Sequence, residues 1–434
     1  MAYDIIIGRD AADKEKFGDR GLIYLGKGYV KMGAYTSLSN KLWMDIARSH
    51  VVLVAGKRGT GKSYSLGVIA EELANLPPEN AKNTASLIFD TMGVFWTMKF
   101  KNEKDTELLT QWGLTKKNLP VKVFVPFGKA EEYLSKNIPF DSTFSLKVSE
   151  LEAEDWIALF NVGITSLPGV LIVRAITSLA EKNKFTIADI EKNIEEDEKA
   201  SKETKEIVVS LFKAAESWGI FSKTHEGTEV KDLTTAGTTT VLDTSVYSSV
   251  SSFNVRALVI SLISRKIFKT RLDARKKEEL QAIQHGQDYL SYGEKSDPLV
   301  WIFIDEVHEF LGKDEKTPAT DALIQLLREG RQPGISLVMA TQQPGKLHSD
   351  ALSQSDIIIS HRVTAKPDIE ALNEIMQTYV LESIKKQMDD LPSLKGSAII
   401  LDDNSERIYP MRVRPRFTWH GGEAPSSIKA ELKL

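Results

Sequence analysis

The sequence predicts an α/β fold built on a mostly parallel sheet, and three observations carry that expectation. Residues 56–63 read Gly-Lys-Arg-Gly-Thr-Gly-Lys-Ser, an unbroken G-x-x-x-x-G-K-[ST] phosphate-binding loop. A short apolar run at 51–55 precedes it and a helical pattern over 64–76 follows, which is the strand–turn–helix setting the motif requires. Far downstream, the continuous apolar run 299–304 ends in Asp305-Glu306, as expected of a strand buried on both faces of a parallel sheet.

These pieces point to nucleotide chemistry. The glycines let backbone N–H groups close around a polyphosphate, helped by the N-terminus of the following helix. Gly56, Lys57, Arg58, Gly59, Thr60, Gly61, Lys62, Ser63 and Tyr64 are therefore the expected nucleotide-binding residues. Lys62 is placed to reach the β- and γ-phosphates and the Ser63 hydroxyl to ligate magnesium. Open α/β sheets bind ligands at the C-terminal ends of their strands, where Asp305 and Glu306 fall. Asp305 is assigned to magnesium through water, and Glu306 to polarising the attacking water.

A third element follows. The segment 326–334 precedes a strand ending Met339-Ala340-Thr341-Gln342-Gln343-Pro344. An amide at that strand tip can hydrogen-bond the γ-phosphate or the attacking water, the role assigned to Gln342. Arg331, on the turn before the strand, can stabilise transition-state charge in its own subunit or in a neighbour's site. Arg328 is its nearest rival.

Composition narrows the class. The 434 residues are 42% hydrophobic and 27% charged, ordinary for a soluble protein that buries one large core with an insertion, or two domains. No cysteine is present, so a disulfide framework and a thiolate zinc site are both excluded. That suits a reducing cytoplasm, the expected location. No apolar stretch reaches the roughly 18–20 residues that span a bilayer, and the N-terminus lacks the pattern of a signal peptide. A net charge of −4 excludes a basic coat, so any nucleic-acid contact must be local, in a pore or groove.

Along the chain, residues 1–45 read as a short β-rich region in which 21–25 and 29–32 flank Gly26-Lys27-Gly28 as a hairpin. Residues 46–148 read as the first part of the core, with further strands at 86–90 and 121–125. Residues 149–230 read as a helical insertion. Ser149-Glu150-Leu151-Glu152 and Thr186-Ile187-Ala188-Asp189 are capping-box patterns, and 168–182 and 199–218 have helical spacing. The charged stretch 191–205 reads as a solvated helix face or mobile loop. Residues 231–434 resume the core with a strand at 239–243 and a long helix over 252–284. Its basic cluster (Arg265, Lys266, Lys269, Arg271, Arg275, Lys276 and Lys277) reads as a solvated face rather than a phosphate contact. A helix at 317–330, strands at 335–340 and 356–360, two helices and closing strands at 396–401 and 407–414 complete the core.

The chain resembles a HerA-type ATPase of the HerA/FtsK group of P-loop motors. The likeness rests on the phosphate loop, on Ile304-Asp305-Glu306-Val307-His308-Glu309-Phe310-Leu311, on Arg328-Glu329-Gly330-Arg331-Gln332-Pro333-Gly334, on Ala340-Thr341-Gln342-Gln343-Pro344, and on the tail 413–422. It runs from about residue 46 onward. The resemblance implies a RecA-like core, Mg2+ and ATP as cofactor and substrate, and a homo-oligomeric, hexameric ring hydrolysing ATP between subunits. It also implies double-stranded DNA in a central channel and a partner nuclease or effector. Lys62, Ser63, Asp305, Glu306 and Gln342 keep the roles above, and Arg331 matches the arginine offered to an adjacent site. Asp90 resembles the family's acidic residue on its second strand. Arg48 lies near a basic residue that the family places before the first strand, displaced by about one position. His308 is read as structural.

One departure stands out. Family members begin with a complete small β-barrel, whereas only about 45 residues precede the core here. An oligomeric scaffold whose ATPase regulates a separate effector is therefore an alternative, and a conjugation or secretion ATPase, which shares the same core, is another. No nuclease pattern is present, so the chain alone is not expected to cut DNA.

Overall fold

The computed structural model describes residues 3–32, 35–181, 184–249, 254–285, 297–376 and 384–423. Thirteen strands form one sheet: β1 (Ile5–Ile7), β2 (Leu22–Met32), β3 (Tyr35–Asp45), β4 (Val51–Ala55), β5 (Thr84–Asp90), β6 (Val121–Pro126), β7 (Ser142–Phe144), β8 (Thr239–Asp243), β9 (Leu299–Ile304), β10 (Ile335–Thr341), β11 (Ile357–His361), β12 (Ser397–Asp402) and β13 (Arg407–Val413). Their order is β1-β3-β2-β13-β12-β11-β4-β10-β9-β5-β8-β6-β7. From β11 to β7 every neighbouring pair is parallel. From β11 through β12, β13, β2 and β3 the pairs are antiparallel. The fold is therefore α/β with a mostly parallel core, as the sequence predicts.

Side-chain alternation divides the core between the two faces of the sheet. Val51, Leu53 and Ala55 of β4 pack with the helical region, whereas Val52 and Val54 pack with Leu66, Val68, Ile69 and Leu73 of the phosphate helix, Lys62–Ala74. On β9, Val300, Ile302 and Ile304 take the first face, and Trp301 and Phe303 the second. Each such fully buried aliphatic side chain contributes about 1.5–3 kcal/mol, so these two strands are fixed with little latitude in register.

The helices Ala153–Phe160, Leu167–Ala180, Ile187–Glu196 and Lys202–Ser217 gather around Trp156, whose ring lies 4.9 Å from that of Phe212 and 5.0 Å from that of Phe221. Thr186 and Asp189 form the expected capping box. The other pattern is displaced: Glu152 caps the helix from Ala153 with Asp155 as its partner, while Val148–Glu150 is a separate 3-10 turn. The charged stretch folds into two helices, and Arg174 secures their junction by gripping both oxygens of Asp197, at 2.5 and 2.8 Å. Residues 182 and 252–253, at the limits of two predicted helices, lie outside the described residues.

The predicted hairpin at Gly26-Lys27-Gly28 is replaced by a single strand, β2, running through these residues. They sit between two partners: β3 on one side, with register shifts there, and β13 on the other, where Val413 opposes Gly26 and Met411 opposes Gly28. A β-carbon on Gly26 would lie 2.1 Å from the Arg412 carbonyl oxygen. The glycine thus serves a close, bulged strand crossing rather than a turn.

The basic helix Val255–His285 is largely neutralised. Arg265 pairs with Asp155 at 2.6 Å and Lys266 with Glu150 at 2.8 Å, while Arg271 is buried and donates to the carbonyls of Pro333 and Asp297. Among the described residues, no helix is long and apolar enough to cross a membrane.

Candidate active site

The site forms where β4, β9, β10 and β11 end. The phosphate loop leaves β4 with Gly59 and Gly61 at φ of +77° and +116°, conformations that favour glycine. Two neighbouring strands hold its first half. Gly56 N–H donates to the Thr341 carbonyl at 3.2 Å, and Lys57 N–H to the Arg362 carbonyl at 3.1 Å. Lys57 and Arg58 are exposed, Thr60 closes a turn onto the Lys57 carbonyl, and Lys62 opens the phosphate helix with its amine buried. Burial lowers the Lys62 amine from its ordinary value against the pull of Glu306 and Asp305. Tyr64 turns away to the C-terminal segment, where its hydroxyl accepts the Arg416 N–H at 2.7 Å.

β9 delivers the acidic pair. Asp305 is buried and accepts from the Ser63 hydroxyl at 2.5 Å and from the Glu306 N–H at 2.9 Å. Burial raises its carboxyl, and the Glu306 charge adds to this, while the Ser63 hydrogen bond opposes it. Glu306 is held in the left-handed region at φ 51°, an uncommon and costly conformation for a side-chain-bearing residue. This turn aims its carboxylate back at the loop. Oε1 lies 3.9 Å from Lys62 Nζ and accepts from the Gln342 amide. Oε2 is buried without a hydrogen-bond partner, 3.5 Å from His308 Nδ1. Burial lowers the His308 imidazole, and its ring rests beside Thr341 Oγ1 at 3.2 Å.

The structure thus brings Lys62, Ser63, Asp305, Glu306 and Gln342 together, but not the two arginines. Arg331 lies before β10, at the N-terminal end of that strand, where it donates to the Gln354 carbonyl at 2.5 Å and lies 3.6 Å from Asp356. Arg328 pairs with Asp350 at 2.7 Å. The intervening length of β4 or β10 is roughly 15–20 Å at about 3.3 Å per residue. Arg48 also lies at the N-terminal end, gripping Asp13 at 2.7 and 2.8 Å. Asp90 is fully buried and caps its own turn, accepting from the N–H groups of Gly93, Val94 and Phe95. Burial and the facing Asp243 raise its carboxyl.

The residues fit the expected ligands. The buried, unpartnered Oε2 of Glu306 is an acceptor waiting for a donor, and Ser63 with Asp305 offers the hard oxygen donors that magnesium takes. Sequence reasoning missed His361 on β11, which packs against the loop, and Glu71, which anchors the C-terminal segment to the phosphate helix. His361 merely ends an apolar run. Glu71-Glu72 inside an otherwise apolar helix was the available signal for the second.

A phosphate-binding loop whose lysine lies 3.9 Å from a strand-tip carboxylate, on a RecA-like α/β sheet, makes this chain a P-loop ATPase. Residues 33–267, more than half of it, match the family described as "Helicase HerA, central domain". The chain belongs to that family. It is 30% identical over 144 residues to the DNA double-strand break repair helicase HerA of Pyrococcus furiosus, covering 32% of this chain and 24% of that protein. It is 30% identical over 103 residues to the probable DNA double-strand break repair helicase HerA of Methanocaldococcus jannaschii, covering 24% and 20%. The matched part spans about a quarter or less of the length of these relatives. VirB4 of Thermoanaerobacter pseudethanolicus shares the fold, with a TM-score of 0.56 at 10% identity over 92% of this chain and 98% of that one.

Proposed function

We propose that the chain is a subunit of a ring-forming, Mg-ATP-dependent motor that moves duplex DNA and works with a nuclease or other effector in DNA end processing or defence. Each hydrolysis site is completed between subunits of a hexamer: Lys62, Ser63, Asp305, Glu306 and Gln342 from one copy, and Arg331 from the next. The observation that carries this reading is the placement of Arg331 at the opposite end of β10 from Gln342. An arginine so far from its own phosphate loop cannot reach its own γ-phosphate, which supports a role in a neighbour's site.

In the reaction, a water oxygen bonds to the γ-phosphorus while Glu306 Oε2 takes its proton and Gln342 holds Oε1. The bridging P–O bond breaks, its electron pair leaves with ADP, and the Lys62 ammonium balances the charge. Magnesium held by Ser63, and by Asp305 through water, would neutralise the phosphate oxygens. The family match and the repair-helicase relatives support DNA as the track. The same reading assigns residues 1–45 to a short β-rich, reduced barrel-like region, 149–230 to a helical insertion on an ATPase core of 46–148 and 231–434, and the protein to the cytoplasm.

The test is steady-state ATPase activity with and without linear duplex DNA, on material sized by light scattering, with Glu306→Gln as control. Strong stimulation of a ring-sized species is expected. Turnover that DNA leaves unchanged would overturn the DNA motor in favour of an ATPase scaffold that regulates another protein.

A further inference from the structure

The tip of β11 closes the back of the phosphate loop. His361 is fully buried there. Its Nδ1 lies 3.0 Å from the Ser397 carbonyl oxygen, which can only accept, so Nδ1 carries the hydrogen. Nε2 is left as the acceptor for the Ser65 hydroxyl at 2.8 Å, in the first turn of the phosphate helix. Burial pulls the imidazole down to about 4, the Ser397 bond opposes this and the Lys62 charge adds to it, so the ring stays neutral at physiological pH.

The His361 side chain also shapes the loop sterically. A β-carbon on Gly56 would lie 2.7 Å from His361 Cβ, and one on Gly61 would lie 3.4 Å from its Cε1. The next residue, Arg362, holds Lys57 N–H through its carbonyl. On the far side, the Ser397 hydroxyl is 2.8 Å from Tyr29 OH on β2, so a series of contacts through both the side chain and the backbone of Ser397 runs from the N-terminal strands to the loop.

We infer that His361 is a positioning residue for nucleotide binding: bridged between Ser397 and Ser65, it is the wall against which the phosphate loop is preformed. This rests on the loop's binding ATP and adds a residue that never touches the phosphates.

Ser65→Ala, His361→Phe and His361→Gln test it, with Kd for a fluorescent ATP analogue, KM, kcat and thermal unfolding measured on each. Ser65→Ala and His361→Phe should raise Kd and KM about 5- to 30-fold, the effect of one or two hydrogen bonds, with a smaller change in kcat. His361→Gln, whose amide can again face Ser65, should recover part of the affinity. Kd and KM within about twofold of wild type in all three variants, or losses that follow only the folded fraction, would overturn the inference. Wild-type protein that binds no analogue would instead overturn the ATPase assignment on which it rests.

Discussion

Gln342 at the tip of β10 donates its amide hydrogen to Glu306 Oε1 at the tip of β9. One carboxylate oxygen is thereby engaged, and the other, Oε2, lies 3.5 Å from His308 Nδ1 and is left buried without a hydrogen-bond partner. The left-handed backbone at Glu306 makes that placement possible. In the proposed reaction this free oxygen is the acceptor of the water's proton.

Glu306→Gln should lower kcat by about 100-fold or more while leaving nucleotide affinity near wild type, because it removes the base and keeps the shape. Gln342→Ala should give a smaller loss of about 10-fold, since the base survives without its anchor. Steady-state turnover and equilibrium nucleotide binding separate the two effects.

Arg331→Ala should stop turnover and spare nucleotide binding, because the arginine stands away from its own loop. Mixing it with Glu306→Gln should restore part of the activity, as some interfaces then combine an intact base with an intact arginine. Hybrid rings that assemble yet stay inactive would contradict an arginine acting in a neighbour's site.

Glu71→Ala should destabilise the fold by about 3–5 kcal/mol, measured by urea unfolding. Glu71 is fully buried between Arg414 and Arg416, at 3.1 and 3.0 Å, and also accepts the N–H groups of Phe417 and Thr418. Burial alone would raise its carboxyl, but Arg416, Arg414 and Thr418 outweigh burial and hold it below the ordinary range. Removing it strands two buried guanidinium groups.

Stability should fall as pH rises from about 6.5 through about 9, with His50 as the source. Burial opposes charging of this ring, yet Asp356 at 2.7 Å and Asp45 at 3.2 Å raise it from 6.5 to about 9. A base raised on folding binds its proton more tightly in the native state, so its contribution is complete below 6.5 and is lost through 9. Unfolding midpoints across that window should show the decline, and His50→Gln should flatten it. A slope unchanged in the variant would remove His50 as the cause.

Motifs whose chemistry depends on neighbours in sequence were legible. The phosphate loop, the acidic strand end and Gln342 each read from a local pattern, and the parallel core followed from apolar runs separated by helical spacing. Features set by distant partners were not. Gly26 reads as a turn until β13 is known to cross it, and the tail 413–422 reads only as a family likeness until Glu71 is known to face Arg414 and Arg416. Ser149 began a capping pattern three residues early because Asp155, equally good at closing a box, lies just downstream. The basic helix shows the same limit, since Arg265 and Lys266 find acids more than 100 residues away.

The seam between β2 and β13 has a consequence for biosynthesis. It joins Gly28 to Met411, nearly the two extremes of the described chain. β2 must therefore wait on the ribosome, unpaired on that edge, until β4 to β12 and then β13 have been translated. Loop closure over such a distance is slow, and a waiting strand edge is exposed to association. Assembly of this half of the sheet then waits on β13, and the risk of misassembly there is greatest before that strand emerges.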